Sequence, residues 1–179
     1  MPRPPGDPLY RGPVAQAQVR DATGTDAGGI AAVQLGVWRG PWSTFLPPAV
    51  LDGLTDDDVT RRWRAAVTAH GAAQVLVATE GAEVVGFAAV DGAEVATLLV
   101  APRWGRRGHG GRLLGVAAQR LADGGASTGT AWVPEHDAAS RAFLERHGWA
   151  DDATVRSSTL GARVLRERRH TGPVPLPWR

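Results

Sequence analysis

The most chemically loaded stretch of this 179-residue chain is VAPRWGRRGHGGRLL, Val100 to Leu114. An apolar run ends at Val100, and a helix bearing Leu113, Leu114, Val116, Ala117 and Leu121 must begin soon after. Between them stand Gly108, Gly110 and Gly111. Glycine lets the backbone turn tightly and lets a ligand come close. The first N–H groups of a helix have no partner within it, and the helix dipole adds partial positive charge. Arg106 and Arg107 add two full charges. This predicts an anion site over Arg106, Arg107, Gly108, His109, Gly110 and Gly111, suited in size to a pyrophosphate. It is not a Walker loop, because no Gly-Lys-Ser/Thr follows. It is a poor dinucleotide fingerprint, because it comes late, after a hairpin. Taken alone, it also reads as a plain strand-to-helix connection.

Other reactive groups are sparse. His136 and Asp137 stand at the mouth of a later helix, as base and orienter or, in the favoured reading, as its cap. His70 and His147 lie near helix ends and suit the dipole. The five histidines show no ligand spacing, so no metal site is expected. Without cysteine, disulfides, zinc-thiolate sites and a thiol nucleophile are excluded. All 20 basic residues are arginine, which rules out a catalytic lysine. Asp56, Asp57 and Asp58 read as a solvated helix start.

The elements that position these groups follow from apolar periodicity. A strand is expected over Val14 to Arg20. Thr23-Gly-Thr-Asp26 then caps a helix carrying Ile30, Val33, Leu35 and Val37. A loop with Pro and aromatic residues follows from Trp38 to Pro48, then a helix from Asp56 to about His70. Three strands come next: Gln74 to Thr79, Glu83 to Val90 and Glu94 to Val100. A helix ends near Gly124-Gly125 and leads to a strand over Thr128 to Val133. A helix over Asp137 to His147 follows, and Val155 to Leu160 with Arg163 to Arg169 form a last hairpin. This order predicts an α/β fold with a mixed sheet, not the regular alternation of a doubly wound nucleotide fold.

Length allows one domain, placed at 14–170, with a loose N-terminal arm over 1–13 and an irregular tail over 171–179. A hydrophobic fraction of 43% and a charged fraction of 21% suit a globular protein. The net charge of +2 gives no case for nucleic acid. No apolar run approaches the ~20 residues of a membrane span. The start, MPRPPGDPLY, has no apolar core of a secretory leader. A cytoplasmic protein is the expectation.

The run V-x-P-x-W-x-R-R-G-x-G-x-x-L-L resembles the acetyl-CoA-binding motif of the GNAT superfamily of N-acetyltransferases. "VLVATEGAEVVGFAAV" resembles the family's second and third strands, "WVPEHDAASRAFLERHGW" its later strand, helix and Gly-aromatic, and "VRDATGTD" its opening strand and helix cap. The resemblance covers roughly Val19 to Arg169. It implies a three-layer fold with a central, mostly antiparallel sheet of six to seven strands and about four helices. It implies acetyl-CoA as co-substrate and no metal. Backbone groups of Leu98, Leu99 and Val100 would hold the pantetheine arm and acetyl carbonyl on a bulged, splayed strand. The Arg106–Gly111 loop would hold the pyrophosphate. Asp137 takes the place of a frequent cofactor-contacting Asn. Trp38, Trp42 and Phe45 border the acceptor site, where they could hold an apolar or cationic amine or belong to the core. Dimers through late strands are common in the family.

The chain departs from the family pattern at Gly105, where Gln or Arg is usual, and at Asp137. It departs also at Leu144, where a tyrosine often protonates the departing thiolate. An attacking amine must lose a proton, and Glu94 matches the position of the base in several family branches; it also reads as a solvated residue after a turn. The expected activity is acetyl transfer from the CoA thioester to the primary amine of a small molecule or protein, in a ternary complex. The alternatives are an acyl-CoA-binding sensor or structural module with weakened catalysis, which Leu144 favours, and an unrelated phosphate-binding protein using ATP or NAD.

Overall fold

The computed structural model describes residues 17–69, 73–161 and 163–177. The expected arm over 1–13 and the first residues of the expected opening strand lie outside them. The strands are β1 (Gln18–Asp21), β2 (Gln74–Glu80), β3 (Glu83–Asp91), β4 (Glu94–Val100), β5 (Thr128–Pro134), β6 (Ala150–Leu160) and β7 (Arg163–Pro173). The helices are α1 (Ala27–Arg39), α2 (Pro48–Asp52), α3 (Asp56–Thr68), α4 (His109–Asp123) and α5 (Ala138–Arg146). The sheet order is β1-β2-β3-β4-β5-β7-β6, antiparallel throughout except for the parallel pair β4–β5. The expected mixed sheet is therefore observed.

Two layers cover the sheet. On one face Leu76, Ala88 and Val95 pack against Leu113, Leu114, Ala117 and Leu121 of α4 and Leu144 of α5. On the other, Val75, Val77, Phe87 and Leu99 meet Ile30, Val33 and Val37 of α1 and Trp63 of α3. The stripe on α4 recurs at helical spacing and is essentially sealed from solvent. Truncating such a leucine to alanine costs about 2–5 kcal/mol.

Several boundaries differ from the sequence expectation. Trp38 and Arg39 belong to the last turn of α1, not to the following loop. Pro48 opens the short α2, its fixed φ being suited to a first helical turn. Thr171, Gly172 and Pro173 are not irregular: they continue β7, opposite Thr130, Gly129 and Thr128 of β5. Trp149 explains this extension. It is fully buried, and a Cβ on Gly172 or Gly129 would lie 2.2 or 2.6 Å from its ring. Two glycines facing across the ladder make the flat seat that this indole needs.

Candidate functional site

Strand β4 carries the decisive irregularity. Val90 opposes Val95, but Ala89 opposes Thr97, so Ala96 is an extra residue and a bulge. The bulge turns β4 away from β5. The two strands pair only at Glu94–Thr130 and Val95–Ala131, whereas β5 pairs with β7 over all seven of its residues. Beyond Val95 the sheet forks.

The ladder shows which backbone groups face the gap. Ala101 N–H donates to Val85 C=O at 2.8 Å. Alternation along an antiparallel pair then directs the N–H and C=O of Leu99 and Thr97 toward β3. Those of Leu98 and Val100 point into the fork. Leu99 lines the cleft, but its main chain is engaged with Phe87.

The fork opens into a cleft of about 800 Å³ that reaches the start of α4. Gly108 caps α4 at φ +83°, a left-handed conformation that favours glycine. It offers no side chain to the free N–H groups of the first turn, so His109, Gly110 and Gly111 present theirs unoccupied by a cap. Gly110 and Gly111 serve a second purpose. A Cβ there would lie 3.2 Å from the Phe143 ring and 3.0 Å from His147 Nε2, so both allow α5 to press against α4. Arg106 lines the cleft at φ +61°, a strained backbone for a side-chain-bearing residue. These bare N–H groups, one adjacent guanidinium and the dipole fit a pyrophosphate.

His109 is buried beside Glu80, with Nε2 to Oε1 at 3.3 Å. Burial, then the neighbouring Arg112, lower its pKa, against an opposing pull from Glu80. The neutral ring packs edge-on to Trp104. Arg107 does not line the cleft; its guanidinium lies 4.6 Å over the Trp104 ring.

Asp137 lines the cleft and is saturated by the protein. Its Oδ1 accepts from Ser140 N–H at 3.0 Å as the cap of α5. Its Oδ2 accepts from Ser140 Oγ at 2.7 Å and from Trp42 Nε1 at 2.9 Å. Trp42 thus ties the segment between α1 and α2 to α5. Arg163 of β7 holds the same segment by donating to Thr44 C=O at 2.9 Å. Trp38 lines the cleft; Phe45 does not.

Glu94 stands at the closed end of the fork, half-buried and outside the cleft lining. Leu144, where a tyrosine was expected, is buried in the α4–α5 core. Trp63, Trp132 and Glu167 also line the cleft and were not singled out from the sequence. Only Trp132 left a signal there, since its neighbours Ala131 and Val133 face the α4 core and alternation turns it the other way. Among the described residues no cluster of metal-binding side chains occurs, and no helix is long and apolar enough to cross a membrane.

The profile of the acetyltransferase (GNAT) family matches residues 38–149, more than half of the chain. The chain belongs to this family. No curated protein matches its sequence. Solved structures share the fold at low identity. A GCN5-related N-acetyltransferase from Rhodopseudomonas palustris superposes with TM-score 0.72 at 19% identity, over 88% of this GNAT chain and 96% of that one. PaiA N-acetyltransferase from Thermoplasma acidophilum, in complex with coenzyme A, gives 0.71 at 12%, over 88% and 99%. YncA from Salmonella typhimurium, with its cofactor acetyl-CoA, gives 0.66 at 17%, over 87% and 92%.

Proposed function

We propose that this GNAT protein transfers the acetyl group of acetyl-CoA to a primary amine by direct attack. The observation that carries the reading is the fork: Leu98 and Val100 hold unpaired main-chain groups in line with the capless start of α4. The co-substrate supplies a thioester whose carbonyl carbon accepts the amine and whose thiolate leaves. Leu98 and Val100 N–H groups are the donors available to a carbonyl oxygen, a contribution that grows as charge develops there. Arg106 and the N–H groups of His109 to Gly111 anchor the diphosphate.

Three carboxylates compete as base. Asp137 is spent on Ser140 and Trp42. Glu167 is held by Arg156, 2.7 Å from Nε to Oε2. Glu94 remains, and from its place behind the fork it acts through water. Leu144 offers no proton, and Ser140 Oγ gives its own to Asp137, so solvent protonates the leaving thiolate. A thermal-shift titration with acetyl-CoA, CoA, ATP and NAD tests the cofactor. A ligand at about 100 times its Kd stabilises by about 2.7 kcal/mol, or about 2–4 °C here. Shifts with the two CoA species alone are expected; no shift with either overturns the proposal. Release of CoA with amines, lowered in Glu94→Gln and retained in Glu167→Gln, supports the assigned base. CoA binding with no release across a broad amine panel would favour the non-catalytic acyl-CoA-binding module.

A further inference from the structure

Resting on that acetyltransferase reading, we propose that the acceptor is a small primary amine on a flat apolar body that carries no carboxylate. Five of the seven tryptophans line the cleft. Trp104 is at the anion end; Trp38, Trp42, Trp63 and Trp132 surround the other half. Their polar handles are largely taken. Trp63 Nε1 donates to Gln34 Oε1 at 2.5 Å, and Trp42 Nε1 to Asp137. Trp63 also stands edge-on to Phe87, with centroids 4.8 Å apart. What remains for a ligand is aromatic face, which favours planar apolar groups and cations.

Charge sharpens the class. The arginines that line the cleft, Arg106 and Arg146, belong to the anion loop and to α5 beside it. The nearest guanidinium groups on the aromatic side, Arg156 and Arg169, lie over Trp132 at 4.5 and 5.9 Å. Each is already paired, with Glu167 and Asp152, at 2.7 Å. A carboxylate entering this half would lose water without gaining an unpaired cation. An ammonium meets ring faces and the Glu167 carboxylate. The segment between α1 and α2 is pinned by both Asp137 and Arg163, which closes the slot around a small molecule rather than leaving a groove for a polypeptide.

The test compares matched acceptors by CoA release: tryptamine and 2-phenylethylamine against tryptophan and phenylalanine, which add only a carboxylate, with spermidine and a lysine peptide alongside. The expected kcat/KM for the two arylalkylamines exceeds that of their amino-acid counterparts by at least about 100-fold. Trp38→Ala should raise the tryptamine KM about ten-fold with kcat and the acetyl-CoA KM unchanged, and Trp38→Phe should restore it. Better turnover of tryptophan, spermidine or the peptide, or an unmoved KM in Trp38→Ala, overturns the proposal. Calorimetric titration of tryptamine into the CoA-saturated protein separates the two readings. Binding without turnover supports the slot and counts only against catalysis. Bound CoA with no tryptamine binding sinks the slot alone, and failure to bind CoA sinks the acetyltransferase reading.

Discussion

On the α4 side of the cleft, a ligand meets main chain: the free edge of Leu98 and Val100 and the first turn after Gly108. On the α1 side it meets side chains: the rings of Trp38, Trp42, Trp63 and Trp132, and the carboxylate of Glu167. The first wall needs few particular side chains, only a bulge, a left-handed glycine and a helix that starts in the right place. The second depends on residues from α1, α3, β5 and β7 that meet only when the chain is folded. A shared co-substrate fits the first kind of wall, because main-chain donors are the same whatever the sequence. A selective acceptor site needs the second.

Substitutions can break this contrast. Gly108→Val should weaken acetyl-CoA binding most. Forcing a β-branched residue to φ +83° costs about 1–3 kcal/mol, roughly ten- to hundred-fold in Kd by calorimetry. It should leave acceptor affinity unchanged.

Acid should loosen the other wall first. Asp26 sets the start of α1 and accepts from Arg20 Nη1 at 2.7 Å and Nη2 at 2.8 Å, and from Thr23 N–H at 2.7 Å. The Arg20 hydrogen bonds, outweighing burial, lower its pKa from 3.8 to about 2. A depressed carboxylate contributes stability above its unfolded value, and that stability is lost as pH falls through the folded one. Urea unfolding should therefore lose about 2 kcal/mol between about pH 4 and about pH 2, and Asp26→Asn should flatten that slope.

Two smaller effects sharpen the comparison. Trp42→Phe removes one of the donors to the buried Asp137 and should cost about 1–2 kcal/mol of stability. It should raise the acceptor KM with little change in acetyl-CoA affinity. Arg163→Ala releases the Thr44 carbonyl to water and should cost under about 1 kcal/mol, visible as a modest rise in the acceptor KM alone. Equal losses of CoA and acceptor binding in either variant would show that the two walls are not separable.

The same contrast explains what the sequence disclosed. Gly108, the stripe on α4 and the strand Glu94–Val100 are local patterns, and each was legible as written. The expectation that Leu98, Leu99 and Val100 act alike missed the ladder: alternation spends Leu99 on Phe87. Arg107 could not be told from Arg106 without seeing Trp104 beneath it. Glu167 left no mark, since its place in the cleft comes from the pairing of β5 with β7, a contact between distant segments. The end of β7 was hidden for a similar reason, because Gly172 reads as a loop residue until the indole of Trp149 is seen resting on it.

That indole gives the protein an internal optical reference. Trp149 is sealed and held rigid between Gly129 and Gly172, so its emission should be blue-shifted and indifferent to ligands. The five indoles around the cleft should instead quench or shift as either wall is filled. One emission spectrum therefore carries both a steady signal from the core and a responsive one from the cleft.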